Sequence, residues 1–208
     1  MLADIESGTE RQIVSADEPY ARVEAAGDRF VYGVGNRLTL ADQSGASIRE
    51  FNLSDKVSSF EVSRNAQWLA AADSTSLYLF DLNAGRQVQQ LPIKYSSEKL
   101  AVTNDGQSVY LSNWPGEVYR WDVTGNVISS LTSVRGVPAT LRLSMDEKQL
   151  IVGGNHRDVG IYDAATGEIQ HEFETEAADF NVTNVWLKDH RLIFTTDAGL
   201  LFDTKVRP

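Results

Sequence analysis

The sequence contains no cysteine. Disulfides, cysteine-ligated zinc, thiol nucleophiles and covalent haem attachment through Cys-x-x-Cys-His are therefore excluded. Histidine is scarce, with three in 208 residues. Bases are outnumbered, 19 against 29 acids, for a formal net charge of −10. A surface of that sign repels phosphate backbones, so neither nucleic acid nor an anionic membrane is an expected partner. No apolar run approaches the ~20 residues needed to span a bilayer. The first ten residues lack the basic start and apolar core of a secretory leader, and a cytoplasmic location is the expectation. Helical periodicity, low-complexity tracts and linkers are missing too.

What the chain does have is repetition. Leu77-Tyr78-Leu79-Phe80-Asp81 runs four apolar residues into an aspartate, with Gly85 four residues on. The phrase returns at Val118–Asp122 with Gly125 and at Val159–Asp163 with Gly167; looser copies end at Asp4, Asp42 and Asp203. The steps between these aspartates are 38, 39, 41, 41 and 40 residues, a period that signals stacked copies of one supersecondary unit. Aligned on the aspartates, each unit predicts four short strands. The first follows the glycine and carries an apolar residue six positions on (Val14, Phe51, Leu91, Leu131, Phe173), with Ile48, Val88 and Ile128 as a second anchor. The second ends at Val23, Val62, Val102, Leu143 and Val185, before tight turns such as Ser63-Arg64-Asn65, Thr103-Asn104-Asp105-Gly106 and Ser144-Met145-Asp146. Ser, Thr, Asn and Asp suit such turns because their side chains bond the local backbone. The third starts at Phe30, Leu69, Val109, Leu150 and Leu192, and the fourth is the aspartate phrase itself.

The expectation is an all-β chain, a β-propeller of five four-stranded antiparallel blades forming a single domain over 1–208, with phrases ending near Asp42, Asp81, Asp122, Asp163 and Asp203. The strand phase lets an N-terminal strand complete the last blade and close the ring, hiding a sheet edge. Residues 1–8, however, repeat the end of a fourth strand that a closed ring would already possess, and a piece of a larger propeller is the alternative.

These motifs resemble the WD-repeat superfamily of β-propellers, in its divergent bacterial form. Leu79-Phe80-Asp81, Arg120-Trp121-Asp122 and Ile161-Tyr162-Asp163 with their glycines carry the likeness, helped by the turns at 63–65, 103–105 and 144–146. Only Trp121-Asp122 is a literal Trp-Asp pair, and the Gly-His pair of that family is absent, so its Asp–His hydrogen-bond network has no counterpart. The resemblance implies a monomeric, non-catalytic scaffold that binds a protein or peptide through loops of one face.

Catalytic constellations are missing. There is no Gly-x-Ser-x-Gly elbow, phosphate loop or His-Glu-x-x-His. By the blade alignment His156, His171 and His190 fall at separate places, so no metal ligand set and no cofactor are expected. Asp81, Asp122 and Asp163 read as turn formers. Candidate partner-binding residues are bulky or polar groups in loops of one face: Trp114 with Asn113, then His156, Arg157, Tyr95, Arg37 and Tyr20. Trp, Tyr and Arg are the types most enriched at interface hot spots. For Trp114 the competing reading is sideways packing on a neighbouring blade. The alternative function is a propeller enzyme or sugar-binding protein using the central funnel, with Asp17 and Asp179 as inward carboxylates.

Overall fold

The computed structural model describes residues 2–3, 10–11, 22–154, 158–174, 182–188, 191–197 and 199–206. Every regular element among them is a strand. Two short strands come first, β1 (Leu2–Ala3) and β2 (Glu10–Arg11). The first blade is β3 (Val23–Ala26), β4 (Arg29–Val34), β5 (Arg37–Asp42) and β6 (Ser47–Asn52); the second is β7 (Ser59–Val62), β8 (Trp68–Ala72), β9 (Ser76–Asp81) and β10 (Arg86–Pro92). The third comprises β11 (Lys99–Val102), β12 (Ser108–Ser112), β13 (Glu117–Asp122) and β14 (Val127–Ser133). The fourth comprises β15 (Pro138–Leu143), β16 (Gln149–Gly154), β17 (Asp158–Asp163) and β18 (Ile169–Glu174). Three further strands form the fifth sheet, β19 (Val182–Lys188), β20 (Arg191–Thr196) and β21 (Leu201–Lys205).

Each sheet is an antiparallel meander in chain order. The strand after each glycine pairs with the aspartate phrase before it, as Leu38↔Phe51 and Leu77↔Leu91 illustrate. All four of these outer pairs contain a β-bulge, which sharpens their twist. The innermost strands β3, β7, β11, β15 and β19 touch in that order. Between successive blades lie four apolar cores, the first built around Leu38, Phe60 and Phe80, the second around Leu79, Leu111 and Trp121. Blades therefore bury their faces against one another, and the near-continuous apolar runs of β9 and β16 are strands covered on both faces.

The turns explain why the polar residues recur. Ser63, Thr103 and Ser144 each donate a hydroxyl to the residue two ahead (Asn65, Asp105, Asp146) and accept the backbone N–H five ahead. The fourth position of the turn then takes positive φ: Ala66 at 58°, Gly106 at 69°, Glu147 at 61°. In the first four blades the aspartate that ends the phrase closes the next turn, Asp81 Oδ1 accepting the N–H groups of Asn83 and Ala84 and Asp163 Oδ1 those of Ala165 and Thr166.

Two expectations need correction: β3 begins rather than ends at Val23 and β19 runs on past Val185, and the second set of apolar anchors holds only in part. Phe51 and Leu91 are buried as predicted, but Ile48 and Val88 are exposed and anchor nothing; only Ile128 packs against a core. The stretch around Val14, expected to complete the last blade, lies outside the described residues. Glu10–Arg11 pairs with Leu2–Ala3, and β21 carries no fourth strand among the described residues. The β1–β2 hairpin repeats the β5–β6 type of pairing.

Candidate functional site

The connections β10–β11 and β12–β13 open on one face, the tight turns β7–β8, β11–β12 and β15–β16 on the other. On the first face the β12–β13 turn holds Trp114, whose surface is 68% exposed. Sideways packing is thereby excluded. The turn beneath it is closely tied. Asn113 N–H donates to the Glu117 carbonyl at 3.0 Å, and Glu117 N–H returns to Asn113 Oδ1 at 3.0 Å. Asn113 Nδ2 also reaches Glu117 Oε2 at 3.1 Å, and the Tyr119 hydroxyl donates to the same oxygen at 2.6 Å. These two donors, Tyr119 first, hold the Glu117 carboxyl below its ordinary range. Burial, then the bond to Glu117, pushes the Tyr119 hydroxyl up. Tyr95 stacks on Tyr119 with ring centroids 4.7 Å apart.

Gly116 finishes the turn at φ 128°. A Cβ there would sit 2.4 Å from the carbonyl oxygens of Val134 and Gly136, so only glycine lets the next connection approach. Val134 N–H donates to the Gly116 carbonyl at 2.8 Å.

Of the predicted site residues, Trp114 stands free, Tyr95 is half-buried under the same turn, and Asn113 is 2% exposed because its amide is consumed by Glu117. Arg37 starts β5 and pairs with Glu50 across the strand at 3.4 Å. Tyr20, His156 and Arg157 lie outside the described residues, as do Asp17 and Asp179. Sequence reasoning missed Glu117 and Tyr119; their i, i+2 spacing on one strand places both on one face, which is the signal that points to them. It also missed Trp186 on β19, an exposed indole.

The centre of the molecule holds ion pairs. Glu61 on β7 accepts from Arg22 of the first blade at 3.1 Å and from Arg142 of the fourth. Arg22 also binds Glu24 and lies over the Phe60 ring at 5.6 Å. Burial pushes the Glu61 carboxyl up to about 7, outweighing the attraction of Arg142 and Arg22. Nearby, Arg64 reaches the carbonyls of Leu143 and Ser144, again from the second blade to the fourth. A funnel ligand would have to displace these pairs. Among the described residues no group of three His, Asp or Glu side chains is placed to hold a metal ion, and no helix is long and apolar enough to cross a membrane.

Stacked antiparallel four-stranded sheets with inter-blade cores define a β-propeller. The comparison with solved structures agrees: the β-propeller domain of Cps50 (Swd1) from Myceliophteria thermophila superposes with a TM-score of 0.76 at 16% identity, over 94% of this chain and 68% of that one. At that identity the likeness concerns the fold. Matching solved chains number 1654, so the fold alone selects no function. No family model matches the sequence, and no curated protein matches it either.

Proposed function

We propose that this chain is a non-catalytic scaffold that binds a protein or peptide through the face carrying Trp114. The reading rests on one observation: a tryptophan 68% exposed at the tip of a turn in which the side chains of Asn113, Glu117 and Tyr119 are bonded to one another. Such a turn holds the indole in place before binding, so little ordering entropy is lost when a partner covers it. Exposed aromatic anchors on rigid supports are where interface energy concentrates. Tyr95, stacked beneath on Tyr119, extends the apolar surface, and the acidic net charge favours partners with basic flanks.

Peptides selected from a display library against the intact protein test this. Trp114→Ala is expected to weaken the selected peptides by about 2 kcal/mol or more, roughly thirtyfold. Selected peptides that bind the variant and the intact chain equally would remove the reading, as would turnover of a substrate lost on changing a defined acid or base.

A further inference from the structure

On the face opposite Trp114, a cleft of about 540 Å³ opens between the third and fourth blades. Its size lies within the range of small-molecule sites, roughly 300–1,000 Å³. It is preformed, because the Tyr110 hydroxyl donates across the blade boundary to the Ala164 carbonyl at 3.0 Å. Its charges are unusual. Arg120 lines the wall half-buried, with Nε and Nη2 both on the Ser108 hydroxyl at 3.1 and 3.0 Å. It forms no ion pair among the described residues, although several carboxylates share the cleft. Guanidinium groups ordinarily take a carboxylate or phosphate through paired N–H donors, and here the remaining donors of Arg120 have none.

The carboxylates are half-used in the same way. Asp105 Oδ1 accepts from Thr103 and Gln107, Asp163 Oδ1 from Ala165 and Thr166, and Asp122 Oδ1 from Gly125. The second oxygen of each accepts no hydrogen bond among the described residues. The backbone bond from Thr166 keeps the Asp163 carboxyl below its ordinary range. For Asp105, burial acts upward, but the bonds from Thr103 and Gln107 prevail and its carboxyl too is lowered. Counting Glu147 and Lys148, the cleft carries four carboxylates against two cations. A simple anion meets excess negative charge there, and a simple cation leaves the remaining donors of Arg120, whose charge already acts on Asp105, without an acceptor.

We propose that this cleft binds a cationic α-amino acid, its carboxylate on Arg120 and its two positive groups on the free oxygens of Asp105, Asp122 and Asp163. A ligand with one negative and two positive groups answers both halves of the lining. The site is separate from the Trp114 face and independent of the scaffold reading.

Titration calorimetry and amide NMR with L-arginine, agmatine (the same cations without the carboxylate) and L-glutamate test the assignment. L-arginine is expected to bind and to shift amides at 103–108, 122–125 and 163–166. Agmatine should bind at least about tenfold more weakly. Arg120→Gln should abolish that difference, and Asp163→Asn should weaken both cationic ligands while preserving the turn through its amide oxygen. Agmatine binding as well as L-arginine would reduce the cleft to an acidic patch and overturn the proposal. So would silence of the intact, folded protein toward L-arginine at millimolar concentration, or L-glutamate binding as well as L-arginine.

Discussion

Single residues do two kinds of work here, and burial separates them. Trp121, the one literal member of a Trp-Asp pair, is fully buried between the second and third blades and donates its Nε1–H to Asn126 Oδ1 at 3.1 Å. Removing it leaves a cavity with little scope to collapse, since Leu79 and Leu111 are held by their own strands and Val123 by the turn after β13. Trp121→Ala is expected to cost about 3–5 kcal/mol in denaturant unfolding. Trp114 should behave oppositely: with 68% of its surface exposed, Trp114→Ala is expected to stay within about 0.5 kcal/mol of the parent. Equal losses for the two would contradict this division between packing and recognition.

At the scale of the element, the tight turn between the first two strands of the second, third and fourth blades is the repeated device. It needs a hydroxyl to start, an amide or carboxylate two residues on, and a backbone in the left-handed region at its fourth position. Ala66 and Glu147 accept that conformation at a steric cost, while Gly106 accepts it freely. Gly106 also has a second duty. A Cβ there would lie 2.5 Å from Cε2 of Trp68, whose Nε1–H donates to the Asn104 carbonyl at 3.1 Å in the neighbouring blade. Gly106→Ala therefore combines about 1 kcal/mol or more of backbone strain with displacement of Trp68. The expected result is a lower melting temperature together with a changed tryptophan emission; a variant as stable as the parent would show that the indole moves aside at no cost.

At the scale of the molecule, Glu61 ties three blades through Arg22 and Arg142, Glu24 adds its charge to Glu61, and Lys99 lies within the field of the two arginines and Glu24. Its carboxyl rises from 4.5 to about 7 on burial. The folded protein thus binds this proton more tightly than the unfolded chain. The group's contribution to stability is full below pH 4.5 and is lost as pH rises through about 7. Relative to a Glu61→Gln variant, the parent should lose stability across that window. Parallel melting profiles for the two proteins from pH 4.5 to 7 would mean that the guanidinium groups hold Glu61 ionised throughout.

Much of the architecture was legible because its causes are local. Strand alternation, the aspartate phrase, the glycine after it and the Ser/Thr-x-Asn/Asp turns act within a few residues, so five repeats in register sufficed to predict all-β blades, though not every strand end, since β3 begins at Val23 and β19 runs past Val185. Phe51 and Leu91 were found by spacing alone. Ile48 and Val88 were not, because an apolar side chain on an outer strand is buried only if a neighbour covers it, and none does. The site divided along the same line. That Asn113 and Trp114 share a turn follows from the sequence; that one is sealed by Glu117 while the other stands in solvent depends on Tyr119 and on the connection at 134–136, which the chain brings alongside only when blades pack. Pairing of the N-terminal strands, the Arg22–Glu61–Arg142 bridge and the cleft around Arg120 join residues from separate strands or blades. The sequence by itself determined the repeating unit, through short-range backbone chemistry, and the tertiary structure decided which side chains face one another, because those meetings depend on blades packing across long stretches of chain.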